Sequence, residues 1–279
     1  MPELPEVEIA ARNLRAWALG RRVEGVRVDD RARRIFRPQR PATFRAAVAG
    51  TRVADVARRG KHLLVRLHPA RRGDPPIGLL SHLGMTGKWI RRGPGEAAPS
   101  HSRAELRLDD GAVLHYRDPR LFGRLRVVPG ARFGDVPELA ALGPDPLGDG
   151  IDRERLGAAL SRRQAPIKVV LLDQALLPGI GNIQASEALF RAGIDPRRPA
   201  RSPTRAEVSR LVDSILASLH DTIAREEGPE PHYVEEPGSE NPFLVYGREG
   251  ERCPRCRREA IRRIVQAQRS TFYCRRCQR

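Results

Sequence analysis

Residues 165–194, "APIKVVLLDQALLPGIGNIQASEALFRAGI", decide how the second half of the chain is built. An apolar segment with helical character runs into a glycine-rich double turn and then into a second helix. Gly179 and Gly181 stand where the backbone must bend tightly, and Asn182 opens the second helix. The N–H groups at a helix N-terminus form a ready phosphate site. Read alone, an ordinary helical hairpin explains the stretch, so its surroundings carry the argument.

Downstream lie Cys253, Cys256, Cys274 and Cys277, spaced C-x2-C-x17-C-x2-C, which lets two thiolate pairs close a tetrahedron around one structural Zn2+. Two disulfides are the alternative, but a reducing cytoplasm and the symmetry of the pairs favour metal. Every cysteine is used, leaving none for catalysis. Between the pairs, "RREAIRRIVQAQRSTFY" reads as two strands about a turn, an arginine-studded hairpin that depends on metal to fold and suits a nucleic-acid backbone. Upstream, residues 152–226 read as helical, and 131–150, rich in Gly and Pro, as a linker.

Before the linker the texture is β. Runs such as "KHLLVRL" and "AELRLDDGAVLHY" cluster or alternate apolar residues around Asp-Gly and Pro-Gly turns. Residues 5–19 are the exception, with Val7, Ile9, Ala10, Leu14 and Trp17 near helical spacing. Two loops in this half, "LLSHLGMTGKW" and "YRDPRLFGRL", carry Met85 and Phe122 beside glycines, with Arg120 next to Phe122. Apolar loop tips of this kind can wedge between base pairs and fill the gap left by an extruded nucleotide. Each, taken singly, can also be a core residue.

The formal charge of +17 over 279 residues implies a polyanionic partner. A compositional bias toward Arg is the competing explanation, since of 51 Lys and Arg only Lys61, Lys88 and Lys168 are lysines. That bias makes the lysines informative, because an ammonium does what a planar guanidinium cannot. No apolar run approaches the roughly 20 residues of a membrane span, and the first residues lack a secretion signal, so the expected location is cytoplasmic, with the nucleoid.

The chain begins "MPELPEVEIAARNLR". Trimming of Met1 makes Pro2 a free secondary amine, and an α-amino group has a pKa of about 7.7–8.0, lowered further by a cation such as Lys61. Attack of that amine on a sugar carbon gives an iminium that favours elimination, and Glu3 can shuttle protons. A frayed acidic terminus does not explain why Pro leads into a helix with carboxylates at 3, 6 and 8.

Together "MPELPEVE", "RRGKHLLV", "SHLGMTG", "DPRLFGR", "LLPGIGNIQASE", "VYGREG" and "QRSTFYCRRCQ" resemble the bacterial formamidopyrimidine-DNA glycosylases, base-excision repair enzymes with abasic-site lyase activity, over essentially the whole chain. The resemblance implies an α+β fold: an N-terminal β-sandwich with the opening helix (1–130), a linker (131–150), a helix-two-turn-helix domain (151–247) and a zinc finger hairpin (248–279). It implies damaged double-stranded DNA as partner, a monomer, and removal of oxidised or ring-opened purines with β,δ-elimination. Carried over by motif, Pro2 is the nucleophile, Glu3 the proton donor that opens the sugar, and Glu6 a contact to the damaged base. Lys61, His82, Asn182 and Arg269 match phosphate contacts, Met85, Arg120 and Phe122 the residues that fill the vacated space, and Lys168 a lysine near the lesion.

Two departures are small: Gln184 stands where the family commonly has Tyr, and Arg257 where it usually has Gly after the second zinc cysteine. A larger one is residues 226–247, where a Gly-Gly-Ser/Thr-Thr lid segment is replaced by a stretch with six Glu, four Pro and no Lys or Arg. Phosphate repels such a segment, which predicts weak excision of 8-oxoguanine relative to ring-opened purines, unless another segment closes the pocket. A non-cleaving damaged-DNA binder, or a paralogue with altered lesion preference, is the alternative function.

Overall fold

The computed structural model describes residues 2–71, 73–230, 233, 234, 238 and 240–279. Met1, on whose removal the expected role of Pro2 depends, lies outside the described residues, as do parts of the acidic segment. The chain divides into two compact units, Met1–Ala140 with Glu226–Glu236, and Ala141–Arg225 with Pro237–Arg279.

The first unit opens with α1 (Leu4–Ala18) and continues through β1 (Val23–Val28), α2 (Pro41–Val48), β2 (Arg52–Arg59), β3 (His62–His68), β4 (Ile77–His82), β5 (Lys88–Arg92), β6 (Ser102–Leu108), β7 (Val113–Arg117) and β8 (Arg124–Pro129). These strands make two antiparallel four-stranded sheets, in the orders β1-β6-β7-β5 and β2-β3-β4-β8. Alternation sets the faces: in β3, Leu63, Val65 and Leu67 are buried while His62, Leu64 and Arg66 point the other way. One apolar cluster joins Val7 and Leu14 of α1 to Leu63, Leu79 and Leu125 of one sheet and Leu106, Leu114 and Tyr116 of the other. The opening helix thus closes a sandwich.

The second unit follows a short α3 (Pro137–Ala140) and holds α4 (Arg153–Ser161), α5 (Ile167–Val170), α6 (Asn182–Ala192) and α7 (Arg205–Glu226), then the hairpin β9 (Arg262–Gln266) and β10 (Arg269–Tyr273). The stretch read first is therefore α5, the double turn and α6. Helix α6 is buried nearly all round and ends at Gly193, whose φ of +73° is the left-handed cap glycine permits. Its Phe190 packs with Val245, Ile261, Phe272, Cys253 and Cys274 in the small core of the finger. Gln184 is buried and also hydrogen-bonded: its amide donates to Thr222 Oγ1 (3.0 Å) and accepts from Ser218 Oγ (2.7 Å), a polar tie from α6 to α7. Among the described residues no helix is long and apolar enough to cross a membrane.

Candidate active site and nucleic-acid interface

The acidic start of α1 is a cap. Pro5 sits in the first turn, where its missing N–H costs nothing. Glu3 is the N-cap, and a capping box links its side chain to the Glu6 N–H, while the Glu6 carboxyl accepts the Glu3 N–H at 2.7 Å. Pro2 is thereby held one residue ahead of a fixed helix terminus, and Pro2, Glu3 and Glu6 are all buried. Glu8 turns outward to Arg58 (2.8 Å) and Arg12 (3.0 Å), which hold it below the usual carboxylate range despite partial burial. Glu6 behaves oppositely: burial, then the charges of Glu226 and Glu3, push its pKa up to about 8. At neutral pH it is a protonated acid, able to donate as well as accept a hydrogen bond.

Lys61 and His82 belong to neighbouring turns and strands. Lys61 occupies the tip of the two-residue β2–β3 hairpin, after Gly60 at φ +54°, and is half-buried. His82 ends β4 opposite His62 of β3, their rings 5.0 Å apart. Burial, then His62, Lys61 and Arg124, hold His82 down to about 3. It is a neutral imidazole whose Nδ1 accepts the Gly84 N–H at 3.0 Å, leaving Nε2–H as a donor.

The Met85 and Phe122 loops are one assembly. A Cβ on Gly84 would lie 2.5 Å from the Phe122 carbonyl carbon, and one on Gly123 would lie 1.8 Å from Tyr116 Oη, so these glycines allow the loops to touch. Asp118, fully buried, is the hub: it accepts from Thr86 Oγ1 (2.7 Å) in the Met85 loop and from the Arg120 (3.2 Å) and Gly123 (2.8 Å) N–H groups in the other. Phe122 is 38% exposed, with the guanidiniums of Arg34 and Arg120 at 5.1 and 5.0 Å from its ring centre. Met85 is half-buried and Arg120 exposed. Neither Asp118 nor Arg34 was singled out from sequence. The Asp of "DPRLFGR" was a discoverable signal, since a carboxylate two residues before a tight loop commonly caps its N–H groups.

In the second unit Lys168 is fully buried and donates to Asn182 Oδ1, while Asn182 Nδ2 donates to the Ser270 carbonyl at 2.9 Å. Asn182, the first residue of α6, is therefore stitched to the residue after Arg269. Arg269 itself is exposed and begins β10 just past the tight turn Ala267–Gln268. Glu187, also buried, accepts the N–H groups of Leu244, Val245 and Tyr246 at 2.9–3.0 Å, and so fixes the "VYG" segment from within α6. Both motifs stand out in the sequence, but nothing in either shows that one holds the other.

The four cysteine Sγ atoms lie within 4.8 Å of one another, with Cys253–Cys277 at 3.7 Å and Cys256–Cys274 at 3.8 Å. A tetrahedron with Zn–S of about 2.3 Å has edges of about 3.8 Å. The donor set fits a structural Zn2+ with no position left open for catalysis. Arg257, in the knuckle, takes the left-handed conformation at φ +54° that glycine would adopt without strain.

Comparison with known proteins gives the same picture from sequence and from fold. The formamidopyrimidine-DNA glycosylase N-terminal domain matches residues 1–125, the formamidopyrimidine-DNA glycosylase H2TH domain residues 142–230, and the zinc finger found in FPG and IleRS residues 250–279. The chain is 42% identical over 298 residues to a formamidopyrimidine-DNA glycosylase of Rhodospirillum centenum, covering all of both chains. It is similar to the MutM (Fpg) protein from Thermus thermophilus, at TM-score 0.79 and 39% identity over 99% of this chain and 98% of that one. It is also similar to the Lactococcus lactis Fpg in complex with an N7-benzyl-Fapy-dG containing DNA, at TM-score 0.85 and 27% identity over the whole of both chains.

Proposed function

The chain belongs to the formamidopyrimidine-DNA glycosylase family, and from that premise we propose that it is a bifunctional glycosylase and abasic-site lyase acting on damaged duplex DNA through its N-terminal proline. With Met1 removed, the Pro2 nitrogen attacks C1′ of the everted nucleotide as the bond to the base breaks and its electron pair leaves with the base. Glu3 protonates the ring oxygen O4′ as the C1′–O4′ bond opens, and the resulting iminium withdraws electrons. Loss of a C2′ proton then expels the 3′ phosphate, a second elimination expels the 5′ phosphate, and water frees the amine. Glu6, protonated at neutral pH, donates to an acceptor on the damaged base.

Lys61, the neutral His82, Asn182 and Arg269 bind phosphates around the flipped nucleotide. Lys168 serves them by fixing the Asn182 amide. Met85, Arg120 and Phe122 fill the vacated space, with Arg120 facing the orphaned base. Cys253, Cys256, Cys274 and Cys277 hold zinc, which supplies folding of the finger and takes no part in the reaction. The enzyme acts as a monomer, in the cytoplasm with the nucleoid.

One observation carries this reading: Pro2 stands directly before a capping box whose two carboxyls are buried beside it. The test is borohydride trapping on a panel of lesion duplexes. Pro2→Gly should lose the trapped complex while retaining duplex binding, which comes from the cationic surface. Ring-opened purines should be processed faster than 8-oxoguanine. Normal trapping by the variant would refute the nucleophile, and equal lesion rates the substrate preference.

A further inference from the structure

Of the three lysines that survive the arginine bias, Lys88 has no part in this mechanism, and neither has the acidic segment that follows α7. In the first unit the two meet. From α1, Asn13 Nδ2 donates to the Gly228 carbonyl at 2.7 Å, and Arg12 pairs with Glu227 at 3.4 Å. From β5, Arg92 pairs with Glu230. Tyr233 is buried, its hydroxyl donates to the Gly87 carbonyl at 2.8 Å, and the buried Lys88 ammonium stands 4.4 Å from the centre of its ring.

Gly87 is the last residue of the Met85 loop before β5 begins at Lys88. Its N–H closes the turn onto the Leu83 carbonyl at 2.8 Å, and a Cβ there would lie 2.4 Å from that same oxygen. The loop's stem thus sits tight against Leu83 and Tyr116, and the Gly87 carbonyl adds a tether at its β5 end to those that Gly84 makes to His82 and Thr86 to Asp118. We propose that the described residues of segment 227–233 form a positioning strap for the wedge: Tyr233, oriented by the Lys88 ammonium, fixes the Gly87 carbonyl and so the stance of Met85. A compact ammonium fits under the ring where a guanidinium fork would need more room, which gives the third lysine its purpose. The acidic character of the segment suits it to Arg12 and Arg92 rather than to phosphate. This inference rests on the wedge reading above and deepens it: Tyr233 and Lys88 are positioning residues, not groups that touch the reacting atoms.

The test compares Tyr233→Phe and Lys88→Met with the parent on two substrates and one signal. The substrates are a lesion duplex, and a single-stranded abasic oligonucleotide in which there is no opposite strand to wedge. The signal is fluorescence of 2-aminopurine placed opposite a stable abasic analogue, which rises as the orphaned base is unstacked. Loss of the buried Tyr233 hydrogen bond, or of the ammonium that orients its ring, should lower kcat/KM on the duplex about tenfold and blunt the fluorescence rise, with trapping on the single strand unchanged. Parent-like fluorescence and duplex rates in both variants would overturn the strap, and so would an equal loss on both substrates, which marks general damage to the domain. Failure of the parent to trap any substrate would instead overturn the catalytic reading, leaving the fluorescence comparison intact.

Discussion

Glu6 shows how one side chain can be asked for two things. As the third residue of a helix it completes a capping box, and as a buried acid beside Glu3 and Glu226 it keeps its proton to about pH 8. Its folded pKa lies above the ordinary carboxylate value, so the folded state binds more protons than the unfolded one between those limits. The stability it confers is complete below the unfolded pKa and drains away as pH rises through about 8. Glu6→Gln, neutral at every pH and still able to accept the Glu3 N–H, should therefore gain on the parent in Tm between pH 6 and pH 9. A constant difference across that range would show that Glu6 is ionised in the folded state. The sequence places Glu6 in the opening helix, but its raised pKa comes first from burial and then from the charges of Glu226, 220 positions away, and Glu3, and neither the burial nor the distant carboxylate shows in a local pattern.

At the scale of elements, the opening helix, the β texture, the double turn and the zinc hairpin were legible because each rests on local chemistry: periodicity, glycine at bends, cysteine spacing. What was hidden is how loops hold one another. Asp118 ties the Met85 and Phe122 loops together through three hydrogen bonds. Asp118→Ala would leave all three donors unpaired, the Gly123 N–H in the interior, and should cost about 2–4 kcal/mol in denaturant unfolding while lowering lesion excision more than abasic-site binding. Full stability and excision would remove the hub from the account. Arg257 is the reverse case, where the sequence departure was visible and its conformation was not. Because it occupies left-handed backbone, Arg257→Gly should stabilise the finger by about 1 kcal/mol, read as slower loss of zinc to a chelator. Faster loss would mean the arginine side chain compensates for its strain.

In the proposed mechanism the chemistry belongs to the first unit alone, and the grip on DNA is divided between Lys61 and His82 there and residues of the second unit. Pro2, Glu3 and Glu6 lie in the first unit, while Asn182, Arg269 and the zinc cysteines lie in the second. Removing zinc, or Cys274→Ser, should therefore cut duplex affinity while leaving the first unit's unfolding transition in place, since the finger depends on metal and the sandwich does not. Loss of both together would show that the units fold as one. The central claim, that the terminal proline is the nucleophile, is tested most directly by reducing the covalent complex with an abasic oligonucleotide, digesting it with trypsin, and locating the adduct by mass spectrometry. The account predicts the reduced sugar remnant on the peptide that starts at Pro2 and ends at Arg12, and an adduct on a peptide containing Lys61 or Lys168 would contradict it.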